Sequence, residues 1–284
     1  MGELIPRVSA ISNVFSAWKG DPDQDAVALR FVAALHFLVI SKQDSELEGI
    51  SPPNPNAALG ARSNVLRRAI RRYEKLILEY LKSPPQTSEV GRSMAMLGGF
   101  LEVAERFGAD MDVFGIGASA GLNLGFDQYY YQADSWHWGN PRSNVQFKLD
   151  WQGASPPLSS IIVHQRKACD IAPINEATEK DKLLSYIWPD QLERLKRIRR
   201  AIGYAARAKY RIDAMEAGEW LMMQLESAAM TRPRVIYHSV IGQYFTEHQK
   251  QKFGAATEIM GSKASEKSPL IWLQFRARRK QTTR

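Results

Sequence analysis

Seven consecutive residues, Gly115-Ile116-Gly117-Ala118-Ser119-Ala120-Gly121, carry the strongest chemical signal in the chain. They follow an apolar run, Met111 to Ile116, and precede a segment, Leu122 to Tyr131, that can continue as helix. Two chemistries use such a turn. Glycines between a strand and a helix tolerate positive φ and let backbone N–H groups come close to a nucleotide-like ligand. The same residues spell Gly117-x-Ser119-x-Gly121, a nucleophile elbow in which Ser119 would attack an acyl carbon.

Two acids fall at matching places further along. Ala168-Cys169-Asp170-Ile171-Ala172-Pro173 reads as a strand ending in Asp170, with Pro173 pre-set for a first helical turn. Arg211-Ile212-Asp213-Ala214-Met215-Glu216 puts Asp213 at the end of a third strand. In a doubly wound sheet, ligands lie at the carboxyl ends of the strands. A glycine turn (Gly115, Gly117, Ser119, Gly121), an acid for vicinal ribose hydroxyls (Asp170) and an acceptor for an adenine amino group (Asp213) form an order that suits a nucleoside. A carboxylate holding a hydroxyl contributes roughly 1.5–3 kcal/mol. The plainer role for each acid is the N-cap of a following helix.

Other polar residues can complete a pocket. Gln86, Thr87, Glu89 and Arg92 start a helix and could reach over the turn; equally, Thr87 or Ser88 caps that helix and Glu89–Arg92 is a solvated pair. Asn123 and Ser239 join the pocket candidates, as does Asp190, which also fits as an N-cap. His238 ends the fourth strand, where an imidazole can act as general base near neutral pH; a core histidine is the alternative. His238 and Tyr244 are assigned to the acceptor side. The hydrolase reading uses Ser119 as nucleophile, Asp213 as acid and His238 or His248 as base. Helices rather than strands precede the turn, and no HGG-like segment offers an oxyanion donor.

These residues must be positioned by a mixed architecture. Ala26 to Ser41, Leu59 to Lys82 and Thr87 to Gly108 carry apolar residues at three- and four-residue spacing, which predicts helices. In the second, Leu66, Ile70, Tyr73, Ile77 and Tyr80 form one stripe. From Asp112 onward, short apolar strands alternate with helices, which predicts a parallel sheet. Strands are expected near Asp112–Gly115, Lys167–Ile171, Tyr210–Ile212, Arg234–His238 and Leu270–Phe275. The chain therefore reads as an α/β, Rossmann-like domain over residues 110–284 behind a helical region, 1–109. An insert at 132–160, rich in Trp and Pro, predicts a β-hairpin or flap.

Composition narrows the function classes. One cysteine, Cys169, excludes an intrachain disulfide and points to a reducing cytoplasm. Five scattered histidines form no metal-ligand spacing, so no metal is expected. The residues from Met1 to Ala10 lack a signal-peptide pattern, and Pro6 breaks a myristoylation motif. The longest apolar run, Ala26 to Ile40, carries Arg30 and His36 and is too short to span a bilayer. The net charge of +8 gathers in Arg67–Arg72, Arg194–Arg200 and the tail Arg276–Lys280. Solvated helix faces and a frayed terminus are the plainer reading of these runs, an anionic small-molecule partner the sharper one; no motif supports nucleic acid.

The ordered glycine turn and strand-end acids resemble a class I S-adenosylmethionine-dependent methyltransferase over residues 112–275. The resemblance implies S-adenosylmethionine as cofactor and a small-molecule methyl acceptor. The turn departs from the fully alternating glycine pattern, and the insert lengthens the path to Asp170. A closer series runs through most of the chain: Gln86-Thr87-Ser88-Glu89-Val90-Gly91-Arg92, Gly117 to Leu124, Cys169 to Pro173, Trp188-Pro189-Asp190-Gln191 and Tyr237-His238-Ser239. It resembles the prokaryotic domain of unknown function family 2332, which implies no particular activity.

Overall fold

A computed structural model describes residues 9–53, 59–175, 178–227, 231–243 and 245–275. In chain order, helices α1 (Ala10–Ser16), α2 (Val27–Ile40), α3 (Ser45–Ile50), α4 (Leu59–Arg72), α5 (Glu74–Lys82) and α6 (Arg92–Phe107) precede strand β1 (Asp110–Ile116). Short strands β2 (Tyr130–Gln132), β3 (His137–Gly139) and β4 (Gln146–Lys148) follow, then β5 (Ile162–Asp170). The remainder is α7 (Lys180–Ser185), α8 (Leu192–Ala208), β6 (Ile212–Ala214), α9 (Ala217–Ser227), β7 (Arg234–Ser239), α10 (Glu247–Ser262) and β8 (Leu270–Phe275). Among the described residues, no helix is long and apolar enough to cross a membrane.

Two compact units form. One combines Met1–Thr87 with Ala177–Arg199; the other combines Ser88–Glu176 with Arg200–Arg284.

The helical unit is centred on α2, whose near-continuous apolar sequence buries Phe31, Ala34, Leu35 and Leu38. Ile70, Ile77 and Leu81 from α4 and α5 and Tyr186 after α7 complete that core. The two polar residues in α2 are buried with partners. Arg30 donates to the carbonyls of Asp25 (2.8 Å) and Leu81 (3.0 Å) and lies over the Trp18 ring. His36 Nδ1 stands 3.3 Å from the Ser185 carbonyl. The expected single helix from Leu59 to Lys82 is two helices. Tyr73 leaves helical geometry (φ −111°, ψ 26°) between them, and its hydroxyl donates to the Gln43 carbonyl. The apolar stripe keeps Ile70, Ile77 and Tyr80 inward.

The second unit is built on five parallel strands in the order β6-β5-β1-β7-β8. The chain lays strands outward on one side of β1 and then crosses to the other, so the order reverses between β1 and β7. This is a Rossmann-like α/β arrangement, with its topological switch point at that boundary. One face of the sheet packs Phe114, Ile116, Cys169 and Ile236 against Trp220 and Leu221 of α9 and Phe253 and Met260 of α10. The other face meets α6, where Phe100 contacts Tyr237. Adjacent glycines let α6 approach: a side chain at Gly98 would press on Trp151, and one at Gly99 on Leu273 of β8.

The insert is a small sheet, β3-β2-β4, with β2–β3 antiparallel and β2–β4 parallel. The helix expected to run from Leu122 to Tyr131 is instead a 3₁₀ turn, Leu122–Gln128, which gives way to β2. The reason lies in its carbonyls. Those of Leu122 and Phe126 accept from the hydroxyls of Tyr129 and Tyr131, and that of Leu124 accepts from Arg166. Side chains thus take the acceptors that an α-helix would give to its own amides. Arg166 also grips Asp127 with two bonds, 2.7 and 2.9 Å, which fixes this segment to β5. Burial alone would lower the Arg166 pKa, but the Asp127 carboxylate holds it above the ordinary value.

Candidate functional site

Register aligns the site. Ile116 pairs with Cys169 on one side and His238 on the other, so Gly117, Asp170 and Ser239 stand level along the carboxyl rim. Three loops leave this rim or border it: 117–121 after β1, 171–175 after β5, and the turn after β7. The residues before α6 form a fourth wall.

The glycine turn is left-handed at Gly117 (φ 66°), Ser119 (φ 52°) and Gly121 (φ 69°). A side chain at Gly117 would collide with Ile241 Cδ1, and one at Gly121 would press on Ile212. Glycine is therefore required by packing as well as by dihedral angle. Gly115 lies under Leu124 and the Tyr237 hydroxyl. Ser119 has no such freedom, and its conformation is held from outside: its N–H donates to Asp170 Oδ2 (2.7 Å), and its carbonyl accepts from Ile174 N–H (3.3 Å). The Ala118 N–H donates to the Cys169 carbonyl (3.0 Å). Turn and strand end thus share one hydrogen-bonded frame. Cys169 lies beneath it, where burial pushes the thiol up to about 12.

Asp170 also accepts the Ala172 N–H through Oδ1 (2.9 Å). Its carboxylate closes a loop instead of capping a helix. The first helical turn expected at Pro173 is absent, residues 171–175 are irregular, and α7 starts at Lys180. Each carboxylate oxygen has taken one N–H and retains a second lone-pair direction. Ile171, directly after it, is 72% exposed, the most exposed large apolar side chain of the described residues.

A second cluster faces the turn from the start of α6. Ser88 Oγ donates to Ser119 Oγ (2.7 Å). Asn123 Nδ2 donates to the Glu89 carbonyl (3.1 Å), while its buried Oδ1 has no partner. Arg92 Nη1 reaches Oγ (3.4 Å) and the carbonyl (3.5 Å) of Ser239 at the end of β7. The cap expected from Thr87 or Ser88 is not made; Gly91 precedes α6, and Glu89 Oε1 accepts the Gly91 N–H (2.8 Å).

Backbone strain gathers at the same place. Of six non-glycine residues with positive φ among the described residues, three border this rim: Ser88 (36°), Ser119 (52°) and the β-branched Val240 (65°) directly after β7. Each such residue costs about 1–3 kcal/mol and persists where surroundings impose it, as ligand sites do. Neither Ser88 nor Val240 carries a sequence signal for this.

The other candidates are placed differently. Asp213 accepts from the Trp220 indole N–H (2.8 Å) and from Arg211 Nε (3.1 Å); Glu216, not Asp213, receives the first amides of α9. His238 is 2% exposed, with its ring against Trp272 (5.6 Å) and Phe253 (6.1 Å). His248 is exposed in the first turn of α10. Among the described residues, no imidazole is bonded to Ser119 Oγ or to Asp213. Gln86, Thr87 and Asp190 belong to the helical unit, and Tyr244 lies outside the described residues, as does the basic tail from Arg276. Among the described residues, no group of three or more potential ligands could hold a metal.

The model of one protein family, described as "uncharacterized protein conserved in bacteria (DUF2332)", matches residues 3–284. The chain belongs to this family. The match spans both units, so the helical region and the sheet are parts of one DUF2332 sequence pattern. No curated protein and no solved structure matches this DUF2332 chain.

Proposed function

We propose that this rim binds S-adenosylmethionine and that the protein transfers a methyl group to a small, anionic acceptor. The carrying observation is the frame made by Ser119 and Asp170 beside the switch point, with Ser119 itself strained and two further strained residues, Ser88 and Val240, on the same rim. The residues fit such a cofactor. Asp170 would accept the ribose hydroxyls through its remaining lone pairs, and the exposed Ile171 would cover the base. The turn from Gly115 to Gly121 would hold the amino-acid end, with the unpartnered Asn123 Oδ1 as an acceptor for its ammonium. The cofactor, when bound, supplies an electrophilic methyl. The protein's own part is alignment and exclusion of water, which suffices for a transfer that needs no covalent enzyme intermediate. Arg92, already directed at Ser239, supports an acceptor with negative charge. One buried cysteine suits a reducing cytoplasm.

Thermal shift with S-adenosylhomocysteine tests this reading. At ~100 times its dissociation constant, a ligand adds about 2.7 kcal/mol to stability. The wild-type protein should gain in melting temperature and Asp170→Ala should not; no shift in the wild type rejects the reading.

A second reading keeps Ser119 as a hydrolase nucleophile, favoured by its positive φ within Gly-x-Ser-x-Gly. Labelling of Ser119 by a fluorophosphonate probe would select it, and an unlabelled protein would remove it.

A further inference from the structure

The two edges of the five-stranded sheet differ. β6 is three residues long, contains Asp213 and follows Arg211, so charge and brevity blunt it. β8, Leu270-Ile271-Trp272-Leu273-Gln274-Phe275, has twice that length and contains no charge, proline or glycine. Arg234 N–H donates to the Pro269 carbonyl and Val240 N–H to the Phe275 carbonyl. By alternation, Ile271 and Leu273 also turn their main chain toward β7. Leu270, Trp272 and Gln274 therefore turn N–H and C=O to the open side, where no described strand pairs with them. Trp272 is 45% exposed, although its ring also meets His238 and Phe253.

We infer that β8 is a homodimer seam, pairing antiparallel with β8 of a second copy about a two-fold axis at Trp272. Three properties select a second copy as the occupant. A two-fold through residue 272 sets Trp272 against its own counterpart and Leu270 against Gln274 of the partner, so every outward group meets an outward group. That makes about six main-chain hydrogen bonds, with facing Cα atoms about 5.5 Å apart. The strand has no charge to repel its copy, and the exposed indoles become cross-strand neighbours on one face. The result is a continuous sheet through both subunits. A seam of this size is below the usual ~1,600 Å² of stable interfaces, so association should depend on concentration. The net charge of +8 on each chain opposes it, so added salt should strengthen it.

Sedimentation velocity on the full 284-residue chain over a dilution series tests the inference. The mass should rise from 32.1 kDa toward twice that value with concentration. Gln274→Pro removes one outward N–H, leaves the β7 ladder intact and should stay monomeric with an unchanged circular dichroism spectrum. Trp272→Cys should give a covalent dimer under mild oxidation, because the native thiol, Cys169, is buried. If Gln274→Pro fails to fold, the cross-link decides. A wild type that is monomeric throughout, or a dimer that neither variant reports, overturns the inference. So does a monomer whose Trp272 and Gln274 amides resist hydrogen exchange, which would mean that residues 276–284 cover the edge.

Discussion

The Ser119 N–H donates to Asp170 Oδ2 across 2.7 Å, so a strained serine in the first turn is held by the last residue of the neighbouring strand. The other oxygen of that carboxylate closes the loop that follows. Removing it should loosen both loops at once. Asp170→Ala is expected to cost about 1.5–3 kcal/mol in urea unfolding, and Asp170→Asn, which keeps one acceptor oxygen, less. Equal stability of Asp170→Ala and wild type would show that the bond does not hold the turn.

Gly117 and Ile241 form a coupled pair. Gly117→Ala adds a side chain at φ 66° and drives it into Ile241, so a loss of about 1–3 kcal/mol is expected. Ile241→Ala removes the collision and leaves only the dihedral cost. The double-mutant cycle should therefore show a favourable coupling of about 0.5–3 kcal/mol. Strict additivity would mean that the two residues do not meet.

His36 gives the helical unit a pH dependence. Burial is the main cause that lowers its pKa below 6.5, so the folded state holds the neutral ring. Above pH 6.5 neither folded nor unfolded chain binds the proton, and stability is unaffected. As pH falls below that value the unfolded chain takes the proton first, so stability should decline with acidification. His36→Gln should flatten that part of the curve. A wild type and variant with parallel slopes between about pH 6.5 and 5 would refute the assignment.

Arg166 and Asp127 should behave as a buried pair, since Asp127 is 5% exposed. Arg166→Met leaves the carboxylate without its partner and is expected to cost about 3–5 kcal/mol. Asp127→Asn in the same background should recover part of that loss. A cost below about 1 kcal/mol in chemical unfolding would place the pair among solvent-screened surface bridges.

The sheet was readable because its strands are short apolar runs between helical patterns: three of the five expected strands match their observed positions closely, while β5 starts five residues before the expected Lys167. β6 is displaced toward Asp213, as Tyr210 instead lies over Arg166 outside the strand. The 3₁₀ turn after Gly121 was not readable, because over seven residues the i, i+3 spacing of a 3₁₀ turn also fits an α-helix. Only the tertiary bonds from Tyr129, Tyr131 and Arg166 separate them. The glycine turn, Asp170, Glu89, Arg92, Asn123 and Ser239 come together at one rim, and their order along the chain pointed there. His238 was ambiguous by nature: a strand-end imidazole can face the ligand or the core, and alternation turned this one toward Phe253. The strain at Ser88 and Val240 has no signature in residue type, since serine has no special preference for positive φ and β-branched valine is poorly suited to it.

The interrupted make-up of the helical unit bears on how a ribosome delivers this protein. Ser185 and Tyr186, which meet His36 and Tyr80, leave the exit tunnel only after β1 and β5 have been synthesised. Until then the first five helices lack the part of their core that Tyr186 supplies. Nascent chains halted before Tyr186 has emerged should consequently be more protease-sensitive in α1 to α5 than chains from which Arg199 has emerged.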